Sequence, residues 1–589
     1  MKNLIIICLT ILILSTKLWA ADTDYYVTQS GASGRDGLAI GTAWSVSDFN
    51  SSANWSATES ASDIDPGDTV YFSGTITTTI NPPDAYGGTS GNYITLDGWE
   101  AGTCNPVANH DATTFGSDND TDLNACPSAA EVDVNSIYNQ GIQLDWNSYL
   151  IVQDFHIHDA NHGILLKEGA GTPDHTIIRR NYVHDTYNKC FDMEGDDWHW
   201  VTVGGALNDG NFFYNCAEHN RSGGNSSGDI GLYGDDLIFS HNEASNDFQT
   251  DESHNVVNIF TGDRQLIEYN TISYPSPQSG IVPKANGGHD KIIRFNRVSN
   301  CKWGISISTI LGEGNHDIYV YGNFVHDLSD AVAYDNYAAG IRVWRWFSNA
   351  HVWSNIVSLS DGRGIWIGKQ DGYSQGAAYV YNNTIYKTGQ YNVANDRDKA
   401  ALFFEETGDA LNLHVANNIV SESDPYGYYA IYNSNVEDGL ITTFSNNTYY
   451  FTGHTPQAYW DGTAGADLMT ALTVQGWGAN GEVDNPDFTS PNGTDTNAGT
   501  PDDDFTLQGV SPAIDSGLDV SGCNTVVVQD RSIEMCHEDA LDPAVTDWTT
   551  TPPTIGITDR DVEGWSRGAY SYSPEPAGLP PAIRMFYLD

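Results

Sequence analysis

Four side chains carry the chemistry this sequence offers most directly: Lys284, Arg342, Asp192 and Glu194. Lys284 stands in the run Ser279-Gly280-Ile281-Val282-Pro283-Lys284-Ala285-Asn286-Gly287-Gly288. β-Elimination of a uronate polymer needs a base for the proton α to the carboxylate, and a lysine with a lowered pKa supplies one. Arg342 would hold the substrate carboxylate or sulfate. Asp192 and Glu194 offer a rival chemistry. They point the same way from one strand, about 7 Å apart by strand rise, and inverting glycoside hydrolysis uses two carboxyl groups about 6.5–9.5 Å apart. A third set is acidic throughout. Glu194-Gly195-Asp196-Asp197 and Tyr233-Gly234-Asp235-Asp236 read as stacked turns, in which Asp196, Asp197, Asp235 and Asp236 crowd their carboxylates. Such crowding is unfavourable without a cation, and calcium, which takes hard oxygen ligands, fits it.

The elements that must position these groups recur along the chain. A short β run, an asparagine and a hydrophobic residue two places on appear at Asn181, Asn215, Asn242, Asn270, Asn296, Asn323, Asn355, Asn383, Asn418 and Asn447, every 26 to 35 residues. A spacing this regular marks stacked supersecondary units. Each unit holds three short β runs and no helix-length segment, one run following a glycine and the other two flanking the asparagine. That specifies an all-β, three-sided solenoid, a right-handed parallel β-helix of about 10–12 coils at one strand spacing per coil, with the asparagines stacked at one corner. There they would satisfy backbone groups that a narrow coil otherwise buries.

Strand alternation assigns the outward residues of the glycine-led runs. One column reads Leu165, Asp192, Gly231, Asn258, Val282, Ser306, Arg342, Trp366, Phe403, Tyr432; the next reads Lys167, Glu194, Tyr233, Phe260, Lys284, Ser308, Trp344, Gly368, Glu405, Ser434. Carboxylates sit at one end, cations in the middle and aromatics at the other. Flat rings beside charged groups make a sugar-binding strip, for which we select Lys167, Tyr233, Asn258, Phe260, Trp344, Arg345, Trp366 and Phe403. Longer connections at 195–210, 329–339 and 390–399 fall beside this sheet and would wall it into a groove.

The ends of the chain carry a family resemblance. Tyr25-Tyr26-Val27-Thr28-Gln29-Ser30-Gly31 and Pro66-Gly67-Asp68-Thr69-Val70-Tyr71-Phe72 resemble the first coil and cap of the pectate-lyase-like superfamily of bacterial β-helix repeat proteins. Asn485-Pro486-Asp487-Phe488, Ser511-Pro512-Ala513-Ile514-Asp515-Ser516-Gly517 and Arg567-Gly568-Ala569-Tyr570 resemble its C-terminal end. The run around Lys284 is loosely similar to the lysine-bearing strand of calcium-dependent β-helix pectate lyases. The alginate-lyase-like arrangement has its arginine on the adjacent coil, where this chain has Ser306 and Ser308. The resemblance implies the fold; the superfamily includes lyases, glycoside hydrolases, epimerases and non-catalytic proteins, so it does not fix an activity.

Composition bounds the rest. A net charge of −52, from 25 basic and 77 acidic residues, excludes nucleic acid and anionic membranes as general partners. Residues 1–20 read as a signal peptide, with Lys2 before an apolar run too short to span a membrane; the mature chain is expected to be secreted, soluble and monomeric. We expect an N-terminal cap and first coils over 21–150, a grooved core over 151–450, and C-terminal coils with a cap over 451–589. Cys104/Cys126 and Cys523/Cys536 bracket local segments and read as disulfides, leaving Cys190, Cys216 and Cys301. The His-Asp pairs His158-Asp159, His184-Asp185 and His326-Asp327 recur at one position of the repeat and read as structural. No Cys/His spacing suggests zinc. The reading is a secreted polysaccharide-degrading enzyme acting on an anionic polysaccharide by elimination. A glycoside hydrolase using Asp192 and Glu194 is the alternative, and a non-catalytic carbohydrate-binding protein the third.

Overall fold

Runs such as Ile178, Val203, Phe239, Ile267, Ile293, Val320, Val352 and Val380 alternate with polar residues and are buried. Stacked in register, they leave each coil no option but to pair with its neighbours. In the computed structural model of the chain they do so on three faces. Residues 22–58, 60, 62–98, 130–167, 169, 171, 173–195, 197–216, 229–245, 255–274, 279–283, 288–308, 315–329, 338–344, 347–368, 375–390, 399–405, 412–423, 429–434, 441–460, 463–474 and 476–572 are described. The first face is a 13-stranded sheet running from Ile142–Asp145 to Gln457–Trp460 in parallel, with Thr463–Asp467 added antiparallel. The second has 15 strands, among them Asp174–Arg179 and His199–Gly204, and the third has 13, among them Tyr182–His184 and Phe212–Tyr214. From Ile142–Asp145 onward the described coils visit the faces in that order. The expected three-sided parallel β-helix is the fold of the chain.

The corner between second and third faces is an asparagine ladder. The backbone N–H and Nδ2 of Asn270 donate to Asn296 Oδ1 at 3.1 and 2.9 Å, and Asn296 donates in the same way to Asn323 at 3.0 and 3.0 Å. One rung differs from the sequence expectation. Asn211, not Asn215, stands between Asn181 and Asn242. In Gly210-Asn211-Phe212-Phe213-Tyr214-Asn215 two asparagines flank one strand, and the ladder takes the one before it; Asn215 lies past the strand in a left-handed conformation.

The corner between third and first faces depends on glycine. A Cβ on Gly163 would lie 2.1 Å from Val183 Cγ1, and one on Gly304 2.1 Å from Val325 Cγ1. The third-face valines fill that space. On these coils the glycine that leads the first-face strand is therefore a packing requirement; elsewhere Cys190, Val256 or Ala401 takes the same place, and the residue just before it also faces outward.

The N-terminal end is closed by Phe49 and Trp55 around the short helix Val46–Phe49, which carries a Ser45/Asp48 capping box. At the other end the helix Leu468–Val474 buries Leu468 and Leu472 against the last coils. The chain then turns back along the solenoid. The hairpin Cys523–Val528/Arg531–Cys536 packs Val526, Val528, Ile533 and Met535 on second-face residues Ile238, Leu266, Tyr319 and Trp353, and Phe488, Phe505 and Trp548 cover the third face. Among the described residues these returning segments lie on the second and third faces. Cys523 and Cys536 form the expected disulfide, Cys190 pairs with Cys216, and Cys301 is a buried thiol. Cys104, Cys126 and the expected signal segment lie outside the described residues. Among the described residues no helix is long and apolar enough to cross a membrane.

Candidate functional site

Register follows the first outward column of the first face, and the second from Ser308 to Ser434. Leu165 pairs with Asp192, Asp192 with Gly231, Gly231 with Asn258 and Asn258 with Val282; further on, Ser306, Arg342, Trp366, Phe403 and Tyr432 follow one another. The expectation of an open strip is corrected: Asn258 and Phe403 are fully buried, and Asp192 and Arg342 are only 4% and 5% exposed. Outward residues one row ahead crowd them: Lys189 against Asp192, Asn255 against Asn258, Trp303 against Arg342 and Arg363 against Phe403.

At the N-terminal part of the face that extra row supplies His162 and Lys189. Lys189 Nζ donates to Asp192 Oδ1 at 2.6 Å, and His162 Nε2 lies 3.6 Å from Asp192 Oδ2. Burial raises the Asp192 carboxyl to about 6, with Lys189 opposing the shift and Glu194 adding to it. His162 is pushed down to about 4 by burial and by the Lys189 charge, which keeps it neutral above that pH. Glu194, two residues beyond Asp192, is exposed. Gly231 makes this possible from the next coil: a Cβ there would lie 2.3 Å from Asp192 Oδ1 and 3.2 Å from Lys189 Nζ. Behind the pair, Asp229 is buried against the Tyr274 hydroxyl, and burial raises its carboxyl to about 8. The Cys190–Cys216 disulfide fixes the residue between Lys189 and Phe191 to the end of the same coil. Asn255 Nδ2 donates to Asn258 Oδ1 at 3.0 Å, and Tyr233 stacks on Phe260 at 4.3 Å, leaving a half-exposed aromatic platform beside the carboxylates.

Five coils on, about 24 Å at the strand spacing, the chemistry is different. The Arg342 guanidinium lies 4.3 Å from the Trp303 ring, 4.2 Å from Trp344 and 4.3 Å from Trp366. Arg363, fully buried, sits 4.0 Å from Trp366 and 3.8 Å from Phe403. Cations over ring faces are attracted by the quadrupole. Tyr432 and Tyr459 end the series, stacked at 4.1 Å.

The structure therefore brings Asp192 and Glu194 together, and Arg342 with Trp344, Trp366 and Phe403, but in two separate groups. Lys167 is exposed at its strand end beside Asp145. Lys284 and Arg345 lie outside the described residues. The acidic turns do not superpose as expected. Asp235 bridges to His199, so Asp197 falls earlier in a longer turn, and Asp196 lies outside the described residues. Asp236 accepts from Arg264 at 2.8 and 2.7 Å, and Asp235 accepts from the Asp263 amide at 2.8 Å. Both carboxylates are engaged by protein donors. Sequence reasoning missed His162, Lys189, Asp229, Trp303 and Arg363. For His162, Trp303 and Arg363 the available signal was the place immediately before a leading glycine; Lys189 precedes Cys190 and Asp229 occupies the glycine's own place, so neither carried it.

No family profile and no curated protein matches the chain. Three solved structures are similar. Pectate lyase Pel9A is 11% identical over 86% of this chain and 95% of that one, with a TM-score of 0.30. A GH136 lacto-N-biosidase from Eubacterium ramulus is 12% identical over 78% of this chain and 67% of that one, with a TM-score of 0.31. A family 28 exopolygalacturonase from Yersinia enterocolitica is 11% identical over 72% and 60%, with a TM-score of 0.19. At these scores the functional reading rests on the geometry of the site itself.

Proposed function

We propose that this chain is a secreted enzyme that cleaves a polysaccharide laid along the first face, with Asp192 and Glu194 as its proton-transfer pair. The observation that carries the reading is Asp192 itself. It is an outward-facing carboxyl raised to about 6 by burial, with Lys189 and His162 placed to receive the charge left when its proton departs. Environments that drive two carboxyl groups apart in acidity mark the acid and the base of such a pair. Asp192 would protonate the glycosidic oxygen as general acid, and the exposed Glu194 would activate water as base. Their separation of about 7 Å along the strand suits inversion. The Tyr233–Phe260 platform offers a stacking surface for the sugar next to the cleaved bond, and the Arg342 cluster would bind the polymer farther along. The disulfides fit an oxidising compartment.

β-Elimination is the second reading, favoured by Lys189, a cation on the face able to neutralise a uronate carboxylate beside His162. A screen of neutral and anionic polysaccharides, read both for new reducing ends and for unsaturated uronate absorbance, separates the two. Reducing ends without unsaturation are the expected result. Unsaturated product moves the protein to the lyases, and no product from any polymer it binds leaves a carbohydrate-binding protein. Calcium dependence, carried by the acidic-turn expectation, is tested in the same screen by adding chelator.

A further inference from the structure

A separate group of histidines lies on the third face, over the first coils. Glu131 and Asp133, His156 and His158, and Tyr182 and His184 occupy facing positions on three consecutive strands, Glu131–Ser136, His156–Ala160 and Tyr182–His184. All six alternate outward. The rings of His156, His158 and His184 lie with centroids 4.8 to 5.2 Å apart. His156 Nε2 is 2.6 Å from His184 Nε2, and His158 Nε2 is 3.1 Å from Glu131 Oε1. The ligating atoms of Glu131, His156 and His158 all lie within 4.8 Å of one another.

The other ring nitrogens are already committed. His184 Nδ1 is 2.6 Å from Asp185 Oδ2 and His158 Nδ1 is 2.9 Å from Asp159 Oδ2. A carboxylate at Nδ1 holds the proton there, which leaves Nε2 of His184 to present its lone pair, while at His158 Nε2 an ion would replace the proton that bridges to Glu131. This is the outer arrangement that orients histidines on a metal. Beside it, Asp133 Oδ1 is buried without a hydrogen-bond partner. Burial and the two neighbouring rings hold His156 well below the ordinary histidine pKa, leaving it neutral and able to ligate. The lone-pair contact between His156 and His184 is tolerable only if one ring supplies a hydrogen to the other, or if a cation lies between them.

We propose that Glu131, His156 and His158, with His184 swinging in from the next coil as a fourth ligand, form a binding site for a divalent transition metal of the zinc class, clipping three consecutive coils together across the third face. Three imidazole nitrogens and one carboxylate are a ligand set suited to such an ion rather than to calcium or magnesium. Nitrogens bound tetrahedrally lie roughly 3.3 Å apart for metal–nitrogen bonds of about 2.0–2.1 Å, so small side-chain rotations separate the 2.6 Å pair. Binding removes from His158 any second proton it shares with Glu131, and affinity therefore falls as pH is lowered. Asp159 and Asp185 act as positioning residues.

The test uses the whole mature protein, stripped with chelator and titrated with zinc by calorimetry and with cobalt by absorption spectroscopy. One ion per chain is expected, with a tetrahedral cobalt spectrum and a higher melting temperature. Asp185→Asn should weaken binding by about 10–100-fold, and Glu131→Gln, at a half-exposed position, should weaken it while leaving the fold intact. His158→Gln/His184→Gln should abolish it, whereas His351→Gln/His537→Gln, which alters the other close histidine pair, should not. No binding to the wild-type protein overturns the proposal, as does unchanged binding in Glu131→Gln and Asp185→Asn. If the double histidine variant does not fold, the wild-type cobalt spectrum decides: tetrahedral nitrogen ligation supports the site, and an octahedral aquo spectrum overturns it.

Discussion

The two halves of the first face share one backbone, one register and one pattern of outward positions, yet they treat charge in opposite ways. Around Asp192 a carboxyl is buried with a lysine and a histidine, and its acidity is moved into the range where it exchanges protons. Around Arg342 the charges are fixed guanidiniums, each masked by indole or phenyl faces. A guanidinium stays protonated at any working pH, so the second half can bind but has little to transfer. A solenoid can therefore divide a long substrate between a reacting segment and a holding segment by changing side chains alone.

The comparison breaks most visibly at Asp192. Asp192→Asn should lower turnover by at least about 10²-fold if Asp192 transfers the proton, while Arg342→Ala raises KM and leaves kcat nearly intact. Steady-state kinetics on one polymer decides it; a collapse of kcat in Arg342→Ala with Asp192→Asn still active would exchange the roles of the two halves. Gly231→Ala probes the same centre without touching an ionisable group. Its new Cβ would collide with Asp192 Oδ1, and displacement of a catalytic group by about 1 Å costs about 10²-fold in rate, to be read with an unchanged circular dichroism spectrum.

The pH profile sharpens the contrast. As general acid, Asp192 works protonated, so kcat/KM should decline as pH rises through about 6, the value to which burial raises it. Elimination with a lysine base would give the opposite slope. Polymer binding through the Arg342 half should stay flat over the same range. The smallest effect is expected from the scaffold. Asn296→Ala, in mid-ladder, should cost about 1–3 kcal/mol for bonds left unmade and lower the melting temperature, with kcat at low temperature unchanged for both halves.

How much of this the sequence disclosed follows from where its periodicity holds. Both columns were legible from the alternation in Gly163-Ile164-Leu165-Leu166-Lys167 and its equivalents, because a strand has a strict period of two. His162, Lys189, Trp303 and Arg363 were not, because the bend that opens the first-face strand, at a glycine on three of these coils and at Cys190 on the fourth, breaks that period and turns one more residue outward. The ladder was legible as a recurrence, but Asn215 was chosen over Asn211 because spacing alone does not tell which side of a strand forms the corner. The acidic turns failed for a related reason. Equal motifs do not occupy equal places when one turn is longer than the next, and Asp236 accepts from Arg264. Of the histidine cluster, His158 and His184 were legible as one recurring place in the repeat and read as structural, while Glu131 and His156 join them only through stacking.

The asparagine ladder also gives the solenoid an electrical direction. From Asn211 to Asn447 every side-chain oxygen accepts from the backbone N–H of the asparagine one coil before, through nine links in one direction, while each Nδ2 lies between that neighbour's coil and the next. Side-chain dipoles aligned over about 43 Å at the strand spacing add as peptide dipoles do in a helix, and each link polarises the next. The oxygen ends point to the first coils, where the Phe155 amide closes the series. A row of neutral residues thus makes the two ends of the molecule inequivalent to charge, negative at the start and positive at the finish, and one interrupted rung would divide that long dipole into two short ones.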